Sequence, residues 1–200
     1  YGSEVREELL RANREIFGSR LLTGNIIPGG VRKDLTGEDL SKLESAVMRA
    51  GFGAKKLESY IRKTPSEVDR LETTGVLSKE SALNYGTVGV IARASGVISD
   101  IRSEVPYDAY GDLSFNIACR KKGDVMARAA VRSDEITESV SLILQCMKDM
   151  REGEIRTDFE TLDGFSCGIV ESPRGELVHS ADIRDGEIWR YNIRDPSFVN

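Results

Sequence analysis

The sequence predicts an α+β fold, a mainly helical body with one long helix followed by a small antiparallel sheet of three strands. Two observations support this prediction. Apolar residues recur with the helical period of 3.6 through much of residues 1–164, most regularly between Asp124 and Met150. From residue 165 onward they alternate with a period of 2, as in strands. We therefore divide the chain into a helical core, residues 1–164, and a β meander of the same module, residues 165–200.

Two helical regions are predicted near the N-terminus. The first ends at Gly18, because glycine readily adopts the left-handed conformation that closes a helix. An apolar, glycine-rich and irregular connection is expected between Leu21 and Leu35. The second helical region begins at Thr36 or Asp39, and Asp34 is expected to cap it.

Shorter elements are predicted in the middle of the chain. Thr64-Pro65-Ser66-Glu67 combines a capping residue, a proline at the first helical position and an acidic first turn, and Gly75 ends this short helix. Residues of Pro106–Tyr110 either line a substrate or partner surface or, as is commoner, include buried tyrosines that form hydrogen bonds through their hydroxyls. Residues 113–118 alternate and predict a strand, after which Asp124 caps the long helix.

The C-terminal strands are joined by two tight turns. In Ser172-Pro173-Arg174-Gly175, proline stands at the second position and glycine at the fourth, as a type I turn prefers. Asp185-Gly186 is a strong hairpin signal. The result is a three-stranded meander with Arg174 at one tip.

Composition argues against several classes of protein. The net charge of −5 argues against a nucleic-acid partner, because phosphate binding needs a surplus of lysine and arginine on one face. A helix-turn-helix between Thr64 and Tyr85 is opposed by its acidic residues. The sequence lacks a run of roughly 20 apolar residues that could span a membrane, so a cytoplasmic or membrane-peripheral location is expected.

The three cysteines, Cys119, Cys146 and Cys167, are too far apart to form a CxxC pair. We interpret them as reduced, small buried thiols, and we expect no metal ligand among them. Gly86–Gly96 does not match G-x-G-x-x-G, which argues against a dinucleotide fold.

Five segments, taken in order, carry a family resemblance. They are Thr23-Gly-Asn-Ile-Ile-Pro-Gly-Gly-Val-Arg-Lys-Asp34, Pro106-Tyr-Asp-Ala-Tyr110, Gly123-Asp124, Glu171-Ser-Pro-Arg-Gly-Glu176 and Arg194-Asp-Pro-Ser-Phe-Val-Asn200. Together they resemble the large subunit of membrane-linked nickel-iron hydrogenases of the formate hydrogenlyase type. They also resemble its relative, the quinone-site, 49-kDa-type subunit of complex I (NADH-quinone oxidoreductase). The resemblance runs through nearly the whole chain and implies the central part of the hydrogenase large-subunit fold.

The resemblance implies an oxidoreductase as the parent protein. Hydrogenases of the family hold nickel and iron through two CxxC pairs, one on each side of the matched region, and neither pair is present in this sequence. We therefore expect a central fragment, truncated at both ends, that shapes a redox site but holds no metal or cofactor and is inactive alone. The hydrogenase interpretation, which Arg194–Asn200 favours, implies a nickel-iron cluster in the parent. The alternative, a complex I subunit, implies quinone and NAD-linked electron transfer, and a non-redox assembly module is a further alternative.

The resemblance also implies partners and a location. A small iron-sulfur subunit of the same complex is expected to contact the protein, and membrane-embedded proton-translocating subunits are expected to be indirect partners. The protein would then lie on the cytoplasmic side, peripheral to the inner face of the membrane.

The candidate site residues of the meander are Arg174, Pro173, His179 and Glu171, and Glu176 is considered together with Glu171. In the hydrogenases the arginine of a Pro-Arg-Gly turn lies over the metals, so the resemblance implies that Arg174 polarises a bound species or assists proton transfer there, with Pro173 stiffening the turn. His179 is either a catalytic residue or ligand, or a structural histidine that donates to a backbone carbonyl. Glu171 and Glu176 flank the turn and are either proton relays or solvated acids at the strand ends.

Overall fold

The computed structural model describes residues 2–200 and has the α+β fold predicted from the sequence. Within those residues, no helix combines the length and apolar character that a membrane span requires. The helices are α1 (Gly2–Phe17), α2 (Gly37–Lys63), α3 (Pro65–Leu71), α4 (Lys79–Asn84), α5 (Gly89–Ala94), α6 (Ile101–Glu104), α7 (Val125–Lys148) and the 3₁₀ turn η1 (Pro196–Phe198). The strands are β1 (Ile26–Ile27), β2 (Gly30–Val31), β3 (Gly164–Ser172), β4 (Gly175–Arg184) and β5 (Glu187–Arg194).

Contacts divide the chain into two compact units, each with its own buried residues. The first comprises the residues up to Tyr60 together with Ile136–Glu160, and the second comprises Ile61–Glu135 and Thr161–Asn200. The sequence-based division at residue 164 remains a prediction. Buried apolar residues of the first unit include Ile16, Ala46, Val47 and Ala50. In the second unit, α5 packs on α7 through Val90, Ala94, Ala127 and Val131.

The glycine-rich connection after α1 forms a small sheet. β1 and β2 pair in antiparallel fashion, and the Val31 amide donates to the Ile155 carbonyl at 2.9 Å. The Thr157 amide donates to the Gly29 carbonyl, also at 2.9 Å. A Cβ at Gly29 would lie 2.1 Å from the Thr157 carbonyl oxygen, so this approach requires glycine.

Thr36 and Asp39 together begin α2. The Thr36 hydroxyl accepts from the Asp39 amide at 3.2 Å, while the Asp39 carboxylate accepts from the Thr36 amide at 3.1 Å, forming a reciprocal capping box. The Thr36 amide and the Lys33 ammonium lower the pKa of Asp39 to about 2. The expectation that Asp34 caps this helix is wrong, because its carboxylate accepts from the Leu35 amide, before the helix begins.

Two glycines of α2 allow other helices to approach closely. A Cβ at Gly53 would lie 2.6 Å from Val5 of α1, and a Cβ at Gly51 would lie 3.2 Å from Val140 of α7. The helix continues unbroken through both positions. Small residues at these two positions therefore make room for the branched side chains of neighbouring helices.

Asp124 caps α7 as predicted and also makes a tertiary contact. Its carboxylate accepts from the Ala127 amide at 2.7 Å and from the Thr73 amide at 3.0 Å. Thr73 has a φ of +56°, a left-handed conformation that this bond helps to hold. Asp124 thus ties the turn after α3 to the start of the long helix.

Two predictions for the middle of the chain are wrong in detail. Thr64 occupies the N-cap position of α3, but its side chain makes no capping hydrogen bond. Residues 113–118 form no strand, although their burial alternates as predicted. The Arg102 guanidinium carbon lies 5.1 Å from the centroid of the Phe115 ring. The apolar side chains of this segment therefore pack against other side chains, although no strand among residues 2–200 pairs with the segment.

The C-terminal meander has the predicted order, with β4 between β3 and β5 and both pairs antiparallel. Asp185 and Gly186 join β4 to β5 with φ of +54° and +76°, as a tight hairpin requires. The Asp163 carboxylate accepts from both of their amides at 3.0 Å. A bulge between Asp182 and Ile183 shifts the register of β4 and β5.

Candidate functional site

The turn between β3 and β4, residues 172–175, carries Arg174 and is called the Arg174 turn. Ser172 Oγ donates to the Gly175 carbonyl at 2.7 Å and accepts from the Arg174 amide at 3.3 Å. Pro173 and Arg174 are exposed. Among residues 2–200, the Arg174 guanidinium has no hydrogen-bond or ion-pair partner. Hydrogen bonds from Ser197, with a smaller contribution from the charge of Arg174, lower the pKa of Asp195, so a carboxylate lies near the guanidinium without pairing with it. The turn therefore presents a cation without a direct partner from a constrained backbone.

The carbonyl side of the Arg174 turn packs against the start of α5. Gly89 has a φ of +62°, and a Cβ there would lie 2.3 Å from the Arg174 carbonyl oxygen. Asn200 Nδ2 donates to the same carbonyl at 3.0 Å. The Val88 amide in turn donates to Asn200 Oδ1 at 3.0 Å. The turn is thus joined both to α5 and to the segment after η1.

A buried cluster of charges lies behind the turn. Arg93 of α5 is 1% exposed, and its Nη1 lies 2.9 Å from Glu171 Oε1 and 3.5 Å from Asp100 Oδ2. Its Nη2 lies 2.8 Å from Glu135 Oε1. These four residues are called the Arg93 cluster. Three carboxylates around one guanidinium compensate the buried positive charge that would otherwise be costly.

Glu171 connects the Arg93 cluster to the Arg174 turn. Its side chain is 6% exposed, and its carboxylate also accepts from the Ile101 amide at 3.2 Å. Burial, aided by the nearby Asp100 carboxylate, raises the pKa of Glu171 against the opposing effect of Arg93. The interpretation of Glu171 as a solvated strand-end acid is therefore wrong, whereas a role in proton relay remains a prediction.

Arg102 and Tyr107 surround the cluster. Arg102 donates to Asp100 through Nε at 2.9 Å and through Nη2 at 2.6 Å, and this contact raises the pKa of Arg102. The half-buried Tyr107 hydroxyl accepts from the Glu171 backbone amide at 3.1 Å. Burial raises the pKa of Tyr107, so its hydroxyl remains protonated near neutral pH. Tyr107 therefore uses its hydroxyl as expected, at the base of the Arg174 turn.

The structure does not bring His179 to the same face of the sheet as Glu171. Glu171 pairs with Glu176 across β3 and β4, and His179 lies three residues further along β4, so its side chain projects from the opposite face. His179 Nδ1 lies within hydrogen-bonding distance of the Tyr191 hydroxyl, so the expected backbone carbonyl partner is wrong. Glu176 forms an ion pair with Arg194.

The cysteines differ from their predicted environment. Cys119 is half-buried, whereas Cys146 and Cys167 are exposed, and all three are free thiols. The interpretation of small buried thiols is therefore wrong for the two exposed residues. Throughout residues 2–200, no group of three or more His, Cys, Asp and Glu side chains has an arrangement that could hold a metal ion.

Sequence reasoning missed Arg93 and Asn200, although Arg93 gave a signal. It is the only charged residue between Gly86 and Ser99, in a segment of small and apolar residues. A single charge in such a segment is typical of a buried, paired side chain. Asn200 gave no comparable signal, because its partners, Val88 and Arg174, are distant in sequence.

Comparison with known proteins identifies the family. The model of the family described as respiratory-chain NADH dehydrogenase, 49 Kd subunit, matches residues 1–163. The chain belongs to this family. The family resemblance is thereby confirmed, and the matched residues include the first three of the five segments that carry it.

Curated relatives include both branches of the wider complex I and hydrogenase large-subunit family. The chain is 32% identical to an NADH-quinone oxidoreductase protein of Hydrogenobaculum sp., over all of this chain and 38% of that protein. It is 30% identical to the NADH-ubiquinone oxidoreductase 49 kDa subunit of Reclinomonas americana, over 99% of this chain and 58% of that protein. It is 35% identical to the carbon monoxide-induced hydrogenase of Rhodospirillum rubrum, over 88% of this chain and 50% of that protein.

A solved structure shows the same fold. A chain of the membrane-bound sulfane sulfur reductase, described as an archaeal respiratory membrane complex, superposes with a TM-score of 0.88 at 29% identity. The match covers 98% of this chain and 56% of that chain. The chain thus spans about half the length of three of these relatives, and 38% of the Hydrogenobaculum protein.

Proposed function

We propose that the chain is part of the large subunit of a complex I-like NADH-quinone oxidoreductase, in which it forms the protein environment of a quinone-reducing site. The matched family and the names of relatives such as the Reclinomonas americana protein support this branch. They support it better than the hydrogenase branch that residues 194–200 favour. No cofactor is assigned to the chain itself.

The observation that carries the proposal is the exposed guanidinium of Arg174, which has no hydrogen-bond or ion-pair partner among residues 2–200 and stands on a constrained turn. Reduction of a quinone adds two electrons and two protons and converts both carbonyl oxygens to hydroxyls. Negative charge develops on an oxygen whenever an electron arrives before its proton. A guanidinium that is already positioned and stays charged can donate hydrogen bonds to that oxygen. Pro173 limits the backbone freedom of the turn that carries it.

Partners and location follow from the same proposal. A small iron-sulfur subunit of the complex would deliver the electrons, and membrane-embedded proton-translocating subunits would be indirect partners. The protein would lie at the cytoplasmic, inner face of the membrane. The match to a chain of an archaeal respiratory membrane complex supports membership of such an assembly. Nucleic acid is not a proposed partner.

A hydrogenase is the second candidate, favoured by the 35% identity to the carbon monoxide-induced hydrogenase. In this case, Arg174 would lie over a nickel-iron centre. The donor set of residues 2–200 does not fit such a centre, because they contain no group able to hold a metal. The thiolate ligands would therefore have to come from elsewhere in the large subunit, and this chain would contribute Arg174 alone.

The experiment compares Arg174→Ala and Arg174→Lys in the native complex. We expect Arg174→Ala to reduce the rate of decylubiquinone reduction by about 100-fold, as for loss of a preorganised donor, with a smaller loss for Arg174→Lys. The melting temperature should stay unchanged, because an exposed turn side chain contributes little stability. The exposed Arg190 of β5 provides the control, since Arg190→Ala should leave the rate unchanged.

Two results would redirect the assignment. Quinone reduction that survives Arg174→Ala would remove Arg174 from the site. Hydrogen evolution from reduced methyl viologen, together with one nickel per complex and no quinone reduction, would establish the hydrogenase candidate instead.

A further inference from the structure

We infer that Asn200 is a positioning residue for Arg174. Its carboxamide joins the carbonyl of the Arg174 turn to the start of α5. The inference rests on the proposed function for the catalytic role of Arg174, but the geometry of the contact stands by itself. It assigns a task to a residue that reaches neither the guanidinium nor the Arg93 cluster.

The Asn200 side chain uses both of its polar atoms. Nδ2 donates to the Arg174 carbonyl and Oδ1 accepts from the Val88 amide, each at 3.0 Å. Only a carboxamide presents a donor and an acceptor in this fixed geometry. Asn200 therefore joins two backbone segments that lie 86 residues apart, Val88 and Arg174.

The segment that delivers Asn200 is itself held in place. Pro196 of η1 is buried, and the Asp195 carboxylate caps η1 by accepting from the Ser197 amide at 2.8 Å. The Val199 amide donates to the Pro196 carbonyl at 3.1 Å. The two hydrogen bonds of the Asn200 side chain, to Val88 and to Arg174, are called the clamp. The residue that forms them follows an ordered 3₁₀ turn.

Fixing this carbonyl restrains the direction in which the Arg174 side chain leaves the backbone. The amide of Arg174 donates to Ser172 Oγ, and the carbonyl of Arg174 accepts from Asn200. Because peptide groups are planar, restraining both groups that flank the Cα restrains the Cα–Cβ bond. The turn cannot move closer to α5, because the Gly89 backbone already lies close to the Arg174 carbonyl. Loss of Asn200 should therefore let the turn shift without unfolding it.

Asn200→Asp and Asn200→Ala separate the two bonds of the clamp. Aspartate has nearly the same shape and can still accept from Val88, but its carboxylate cannot donate to the Arg174 carbonyl. If the clamp acts on Arg174, both variants should lose activity to a similar extent. A displacement of about 1 Å costs up to about 100-fold in rate, so we expect a loss of about tenfold in kcat for decylubiquinone reduction by the native complex. Asn192→Ala on β5 is the matched exposed control.

A double-mutant cycle shows whether the effect passes through Arg174. In an Arg174→Ala background, Asn200→Ala should cause no further loss of kcat. Wild-type kcat in Asn200→Asp, or independent multiplicative losses in the cycle, would overturn the inference. A merely structural role for Asn200 predicts those multiplicative losses.

A measurement without turnover keeps the inference apart from the proposed function. The Gly175 amide shares a peptide plane with the Arg174 carbonyl, so its ¹⁵N order parameter reports on the clamp. It should fall below the rigid value of about 0.85 in both Asn200 variants and stay unchanged in Asn192→Ala. An unchanged Gly175 value in the Asn200 variants overturns the inference. An Arg174→Ala variant with full quinone turnover overturns only the proposed function.

Discussion

Replacing Gly89 by alanine tests how closely the Arg174 turn packs on α5. Gly89 has a φ of +62°, and an added Cβ would lie 2.3 Å from the Arg174 carbonyl oxygen and 2.5 Å from the Gly175 Cα. Both neighbours are backbone atoms, so no flexible side chain can move aside. The turn, the start of α5 or both must therefore shift.

Gly86 provides a control in which the clash is absent. Its φ is +61°, but nothing lies within 4 Å of an added Cβ. Alanine in the left-handed conformation costs about 1–2 kcal/mol at either position. At Gly89 the clash adds about 1–3 kcal/mol, the usual cost of overpacking. We expect the free energy of unfolding to fall by about 1–2 kcal/mol in Gly86→Ala and by about 2–5 kcal/mol in Gly89→Ala.

Urea denaturation followed by far-ultraviolet circular dichroism measures both losses. Thermal unfolding supplies a second estimate, since each kcal/mol lowers the melting temperature by about 2–4 °C in a chain of this size. Gly89→Ala should also reduce quinone turnover, because the turn that carries Arg174 is displaced. Equal losses of stability in the two variants would refute the reasoning, since the clash would then contribute nothing.

The Arg93 cluster supports two further predictions. Arg93→Met should lower the free energy of unfolding by about 3–5 kcal/mol, because it leaves buried carboxylates without their shared partner. The exposed control Arg190→Met should change it by less than about 0.5 kcal/mol in the same urea titration, and a similar small change in both would contradict the prediction. The second prediction concerns pH. The pKa of Glu171 is raised in the folded protein, so protonated Glu171 stabilises the fold. This stabilisation is complete below the ordinary pKa of 4.5 and is lost as the pH rises through the raised pKa. The stability of the wild type relative to Glu171→Gln should therefore decline with rising pH in that window, and urea titrations from pH 4 to about 8 that show a flat or increasing difference would contradict it.

Local sequence patterns were sufficient for most of the secondary structure. The long helix after Asp124, the three C-terminal strands and the position of Arg174 at a turn all follow from periodicity, caps and turn residues that lie close together in the chain. Where the pattern was ambiguous, the prediction failed. The alternation of residues 113–118 reflects one half-buried side, which is not sufficient for a strand without a hydrogen-bonded neighbour.

The candidate site was predictable only in part. The sequence by itself determined that Pro173 and Arg174 occupy an exposed turn, because turn chemistry depends on adjacent residues. Only the tertiary structure decided what lies behind that turn. Arg93 meets Glu135 and Glu171 across 42 and 78 residues of sequence. Such contacts depend on how helices and strands pack, and a local pattern shows that a residue will be buried without showing which distant charge will compensate it.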